Sequence, residues 1–163
     1  MRRPITIVTG AGRGIGAATA QHLAKTGHDV VVNYRQDHGA AARVVDMARA
    51  SGARAIAVQA DVTLEGEVTR LFAVVYEALG PVRCLVNNAG ATLHIADLAD
   101  TPVVTVRAVI DVNLLGTILY PQGRGRPGSR HAVGCTHTAR ASCGSARDRR
   151  GDCLGYWGPT RRT

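Results

Sequence analysis

The β-branched run Ile5-Thr6-Ile7-Val8 leads directly into Thr9-Gly10-Ala11-Gly12-Arg13-Gly14-Ile15-Gly16, and an alanine-rich segment from Ala17 to Lys25 follows. Few folds accommodate that order. A short β-branched run reads as a buried strand, and the glycines then demand a sharp turn into a helix. Gly10 supplies the turn, while the small residues Ala11 and Gly12 let a pyrophosphate reach the main chain. Gly14 and Gly16 are expected to let the helix pack close to the strand. The helix N-terminus adds free N–H groups and the positive end of a dipole. Gly27 is placed to end that helix before the next strand. Three glycines near a helix start can arise by chance; the strand before them and the helix after them give the pattern its meaning.

The same alternation continues through the first 120 residues. Ile5–Thr9, Asp29–Tyr34, Arg54–Gln59 and Arg83–Asn87 are mostly apolar, as strands covered on both faces must be. Between them lie helical patterns. The clearest runs from Leu64 to Leu79, with Val68, Leu71, Phe72, Val75 and Leu79 on one face. Thr63 is the expected N-cap, Glu65 and Glu67 fall in the first turn, and Gly80-Pro81 ends the helix. A later helix is expected to start at Thr101-Pro102 and run toward Tyr120. Repeated β-α-β units predict an α/β fold, a doubly wound parallel Rossmann sheet left incomplete at about four strands.

Beyond Tyr120 the sequence changes character. Residues 121–163 hold 8 Gly, 9 Arg and 2 Asp, and their large hydrophobes are Val133, Leu154, Tyr156 and Trp157. No period of 2 or 3.6 is present, and so little apolar area predicts disorder. The expected organisation is therefore a Rossmann part over 1–120 and an Arg/Gly-rich tail over 121–163. The net charge of +8 belongs to that tail, which carries +7 of it. The body is nearly neutral, which argues against a nucleic-acid-binding body. Arginine, glycine, cysteine and histidine richness is also what a GC-rich gene yields when read out of frame, so a frameshift near codon 120 is expected. An interrupted domain would leave one side of the fourth strand unpaired, an edge prone to aggregation.

Thr-Gly-x-x-x-Gly-Ile-Gly at 9–16, followed by Asn87-Asn88-Ala89-Gly90, resembles the short-chain dehydrogenase/reductase family, and within it the 3-oxoacyl-carrier-protein reductase-like members. Asp61-Val62 and Asp111-Val112-Asn113 fall where that family carries such pairs, and the likeness covers residues 1 to about 120. The resemblance implies a nicotinamide dinucleotide cofactor and interconversion of a small carbonyl and an alcohol by hydride transfer. It implies cofactor contacts from Gly10, Gly12, Arg13, Gly14, Ile15 and Gly16. Asp61 would hydrogen-bond the adenine and Val62 would pack on it, while Asn88, Ala89 and Gly90 would line the nicotinamide ribose. At the end of the second strand, Asn33-Tyr34-Arg35 offers no acid for a ribose 2′-OH. Arg35, helped by Arg13, suits a 2′-phosphate and so NADP over NAD. Asp37 is near enough to keep NAD open.

The family's catalytic set is a serine, a Tyr-x-x-x-Lys pair and an asparagine in a proton relay. Asn113 matches the last. The sequence's one lysine is Lys25, Tyr120 is followed four places on by Arg124, and Tyr156 by Thr160. Ser129, Ser142 and Ser145 lie in the unpatterned tail, so no catalytic serine or tyrosine is assigned. The tail's His131, Cys135, His137, Cys143 and Cys153 are zinc-ligand types without a Cys-x-x-Cys pair, and no metal site is expected. Cys84 reads as a small strand hydrophobe. The expectation is an oxidoreductase of which the cofactor-binding half is retained and catalysis impaired. The alternatives are a non-catalytic NADP(H)-binding remnant and an RNA-binding protein acting through its basic tail. No run of about eighteen apolar residues suggests a membrane span. With no signal-peptide pattern either, a cytoplasmic protein is expected. Family members are homo-oligomers, and assembly here is doubtful without the late elements.

Overall fold

The computed structural model describes residues 2–92, 97–122 and 133–135. Strand β1 (Ile5–Val8), helix α1 (Gly14–Lys25), strand β2 (Asp29–Tyr34), helix α2 (His38–Ala50), strand β3 (Ala55–Gln59), helix α3 (Glu65–Ala78) and strand β4 (Val82–Val86) alternate along the chain. Helix α4 (Val103–Ile110), a π-helical segment (Asp111–Leu115) and helix α5 (Gly116–Gln122) then run end to end, and β5 (Val133–Cys135) follows. The sheet order is β3-β2-β1-β4-β5, and every neighbouring pair is parallel. The doubly wound parallel sheet expected from the sequence is present.

The strands read as continuous apolar runs because both faces of the sheet are covered. Alternation sends Val30 and Val32 to one side and Val31 to the other. The first side packs Val8, Val30 and Val32 under the small residues Ala17, Ala20 and Ala24 of α1 and under Val44, Val45 and Ala48 of α2. Alanine on α1 brings that helix close to the strands. The second side packs Ile7, Val31, Val58 and Leu85 under Val68, Leu71 and Val75 of α3, with Leu119 of α5 at its margin.

The amino ends of the strands are tied by one buried carboxylate. Asp29 accepts from Arg54 Nε at 2.8 Å and from the Arg54 backbone N–H at 2.9 Å, and Arg3 Nε lies 3.6 Å away. Arg54 and Arg3 also donate to the carbonyls of Leu79 and of Ala24 and Gly52, so the cluster pins helix ends to the sheet. The opposite, carboxyl ends of the strands are left for the loops that carry the sequence motifs.

Three local expectations are corrected. Thr63 does not cap α3: the Asp61 carboxylate accepts from both the N–H and the Oγ1 of Thr63, and Leu64 takes the N-cap position without a side-chain bond. Thr101 does not cap α4 either, since its hydroxyl donates to the Asp97 carbonyl and Pro102 is the N-cap. Nor is the outer side of β4 unpaired. Val133, Gly134 and Cys135 register against Cys84, Leu85 and Val86, so three residues of the region expected to be disordered form a strand there. Of the other tail residues, Pro121 and Gln122 end α5 and the rest lie outside those described. Gly27 and Gly80 do end their helices in left-handed conformations, at φ +99° and +112°.

Candidate functional site

At the carboxyl end of β1 the backbone turns through Gly10, whose φ is +61°. The turn is held from β2: Asn33 Oδ1 accepts from the Gly10 N–H at 3.3 Å, and the Asn33 carbonyl accepts from the Ala11 N–H at 2.8 Å. Asn33 is itself buried, and its Nδ2 donates to the carbonyls of Val58 in β3 and of Ala60 just after it. One amide thus fastens the glycine turn to two neighbouring strands, a role the sequence pattern did not reveal.

The two later glycines act differently from each other. A Cβ on Gly16 would lie 2.7 Å from the Gly10 carbonyl oxygen and 3.0 Å from Ala11 Cα, so only glycine lets α1 approach the turn. Gly14 has open space around it and instead adopts φ +56°, so conformation and not packing requires it. Ala11 points into the core, and Gly12 faces Tyr34 and Ala41. Arg13 is the extended N-cap of α1 and makes no side-chain cap; no acid stands in the first turn. Ile15 projects outward, 71% exposed.

The second motif joins the first through Thr9. Its buried Oγ1 accepts from the N–H groups of Asn88 at 2.9 Å and Ala89 at 2.8 Å, and donates to the Val86 carbonyl. Asn88 returns the link, its Nδ2 donating to the carbonyls of Thr9 and Gly10. Ala89 packs on Gly10, where a Cβ would come within 3.0 Å of Ala89 Cα. Asn113, in the π-helical segment, forms a reciprocal pair with Ala91: Oδ1 accepts from the N–H at 2.9 Å and Nδ2 donates to the carbonyl at 3.1 Å. A Cβ on Gly90 would meet Asn113 Oδ1 at 3.2 Å. Such π-helical turns are rare and occur frequently at functional sites. Gly116, at the start of α5, sits so close to buried Val62 that a Cβ would reach 2.8 Å from its Cγ2.

The carboxyl ends of β2 and β3 border an open cavity of about 570 Å³, lined by Arg35, Gln36, Gln59, Asp61, Leu64, Glu67 and Arg70. Arg35 Nη1 lies 3.8 Å from Asp61 Oδ2, with the arginine side chain 57% exposed and the carboxylate 22%. Asp37, the residue that kept NAD open, caps α2 by accepting from the Ala40 N–H at 2.8 Å.

The structure therefore gathers Gly10, Gly12, Arg13, Gly14, Ile15, Gly16, Arg35, Asp61, Asn88, Ala89, Gly90 and Asn113 around the carboxyl end of the sheet, with Val62 buried beneath α5. Ser129, Ser142, Ser145 and Tyr156 lie outside the described residues, as do His131, His137, Cys143 and Cys153. Asn87 carries the one buried amide nitrogen without a hydrogen-bond partner among the described residues; it faces Thr9, Val112 and Thr117.

A model of the short chain dehydrogenase family matches residues 4–123. The chain belongs to that family. The chain is 45% identical over 120 residues to a 3-oxoacyl-[acyl-carrier-protein] reductase of Synechocystis, covering 71% of this chain and 46% of that protein. It is 41% identical over 118 residues to an uncharacterized oxidoreductase of Methylorubrum extorquens, covering 72% and 47%. A crystal structure of a Burkholderia xenovorans chain described as a short-chain dehydrogenase/reductase superposes with a TM-score of 0.72 at 28% identity, over 76% of this chain and 51% of that one. The chain thus spans about half the length of the curated relatives it matches. No helix among the described residues is long and apolar enough to cross a membrane.

Proposed function

We propose that this chain binds a nicotinamide dinucleotide across the carboxyl ends of β1, β2 and β4, preferring NADP(H) to NAD(H), and that it does not reduce carbonyls. The observation that carries the reading is the α1 N-terminus. It is uncapped and free of acids, is entered through two left-handed glycines, and shares the sheet's carboxyl end with Arg35. A diphosphate fits the donor set of such a turn, and a guanidinium at the second strand's end fits a 2′-phosphate. Asp37 is engaged in capping α2, which supports Arg35 as the group that would face the ribose.

Gly10 through Gly16 would hold the diphosphate, Asp61 would face the adenine, and Asn88, Ala89 and Gly90 would border the nicotinamide ribose. When bound, the cofactor supplies a hydride. The chain's own residues would have to manage the proton, and here the set is incomplete. Asn113, paired with Ala91, would take the relay position, but the sequence has no Tyr-x-x-x-Lys, in which the tyrosine would deliver a proton and the lysine lower its pKa. Arginine, with a fixed charge and a planar fork, does not replace that lysine.

Two measurements on the 163-residue chain test the proposal. Titration of NADPH followed by its fluorescence is expected to show saturable binding. Turnover of a generic ketoester with NADPH is expected to be absent. No binding would overturn the first part, and reduction at rates ordinary for an oxidoreductase would overturn the second.

A further inference from the structure

The cavity between β2, β3 and α3 is built around an ion pair whose two members are each held from α3. Glu67 Oε2 accepts from the Asp61 N–H at 2.6 Å, fixing the backbone of the acid. Arg70 Nη2 donates to the Gln59 carbonyl at 2.8 Å, and Gln59 Nε2 donates to the Arg35 carbonyl at 2.9 Å, fixing the backbone of the base. Within the Asp61 carboxylate the two oxygens have separate duties. Oδ1 accepts from the N–H and the hydroxyl of Thr63, at 2.9 and 2.7 Å. Oδ2 faces Arg35 Nη1 at 3.8 Å.

We propose that Asp61 sets the nucleotide selectivity of this cavity: its Oδ2 competes with a ligand's 2′-phosphate for the Arg35 guanidinium and so holds down the preference for phosphorylated over unphosphorylated adenosine nucleotides. This rests on the reading that the cavity takes the adenosine end of the dinucleotide. Arg35 cannot give its full charge to a phosphate while a carboxylate at fixed position draws on the same Nη1. A 2′-phosphate must displace that interaction, whereas a nucleotide with a free 2′-OH leaves it in place. Neutralising Asp61 removes the competitor, and asparagine keeps an oxygen to accept from Thr63. Because Arg35 is more than half exposed, the effect is that of a solvent-screened pair, about two- to five-fold in affinity.

The experiment is calorimetric titration of the full chain with adenosine 2′,5′-bisphosphate and with AMP. It is run at low ionic strength on the parent, D61N, R35Q and the double variant, each first shown to melt cooperatively. The affinity ratio of bisphosphate to AMP is expected to rise about two- to five-fold in D61N and to fall in R35Q. D61N is expected to add nothing on the R35Q background. D61S, whose hydroxyl can still accept from the Thr63 N–H, serves if D61N does not fold. An unchanged or lower ratio in D61N overturns the proposal while leaving the cofactor reading standing. An equal rise on both backgrounds overturns it too, since Asp61 would then repel the phosphate directly. A parent chain that binds neither nucleotide, or an R35Q ratio equal to the parent's, overturns the reading of the cavity itself and the proposal with it.

Discussion

Replacing Thr9 by valine keeps the volume and β-branching of the side chain and removes only its hydroxyl. That hydroxyl is buried, with Thr9 1% exposed, and it is the acceptor for two backbone N–H groups, of Asn88 and Ala89. Each orphaned donor costs about 1–3 kcal/mol, and the extra buried methyl of valine returns about 0.8 kcal/mol, so T9V is expected to destabilise by about 1–5 kcal/mol. Against a total of about 5–15 kcal/mol for a domain, that is a large fraction. T9S keeps the acceptor and loses one methyl, so it is expected to cost about 1 kcal/mol. Denaturant unfolding of the three proteins reads both values, with an unchanged slope showing that the unfolded state is the same. The two-strand tie also positions Ala89 against Gly10, so T9V is expected to weaken NADPH binding as well. A T9V protein as stable as the parent, or less perturbed than T9S, would refute the assignment of Thr9 as the joint between the two motifs.

The glycine pair separates packing from conformation. G16A is expected to cost about 1–3 kcal/mol by forcing α1 off the turn and to abolish nucleotide binding, whereas G14A meets nothing and is expected to cost only the left-handed penalty of about 1–2 kcal/mol; equal effects on binding would contradict this. D37A is expected to lose about 1 kcal/mol of stability from the α2 cap and to leave the NADPH-to-NADH affinity ratio unchanged; a change in that ratio would return Asp37 to the ribose. Burial holds His28 below its ordinary 6.5, with Arg3 adding to the effect and Asp29 opposing it. The unfolded chain therefore takes up that proton first as the medium is acidified. The stability that His28 contributes is whole above its ordinary 6.5 and is lost as pH falls below it. The drop in melting temperature from about pH 7.5 to about pH 5.5 is expected to be smaller in H28Q, and an equal drop would contradict the assignment.

The sheet was legible because burial on both faces leaves a plain mark: Asp29–Tyr34 was read to the residue, and the other three strands to within one at each end. Helix starts were less so, since a cap depends on which partner the fold brings near. Thr63 looks like a cap in sequence but donates to Asp61, and Thr101 donates to Asp97. The glycine turn announced itself through residue type, whereas Thr9 and Asn33 did not. Their partners lie dozens of residues away, in strands whose adjacency only the sheet order supplies. Strand β5 left no pattern because three residues, one a glycine, are too few to show alternation. The Arg35–Asp61 pair was hidden for the same reason as Thr9: both residues were singled out, but nothing in sequence said that they face each other.

Thermal unfolding of the 163-residue chain with saturating NADPH, with NADH and with neither tests the central claim most directly. A cooperative transition raised more by NADPH than by NADH is expected, since a ligand that binds only the folded state stabilises it in proportion to its affinity. A transition indifferent to both nucleotides, or none at all, would contradict it.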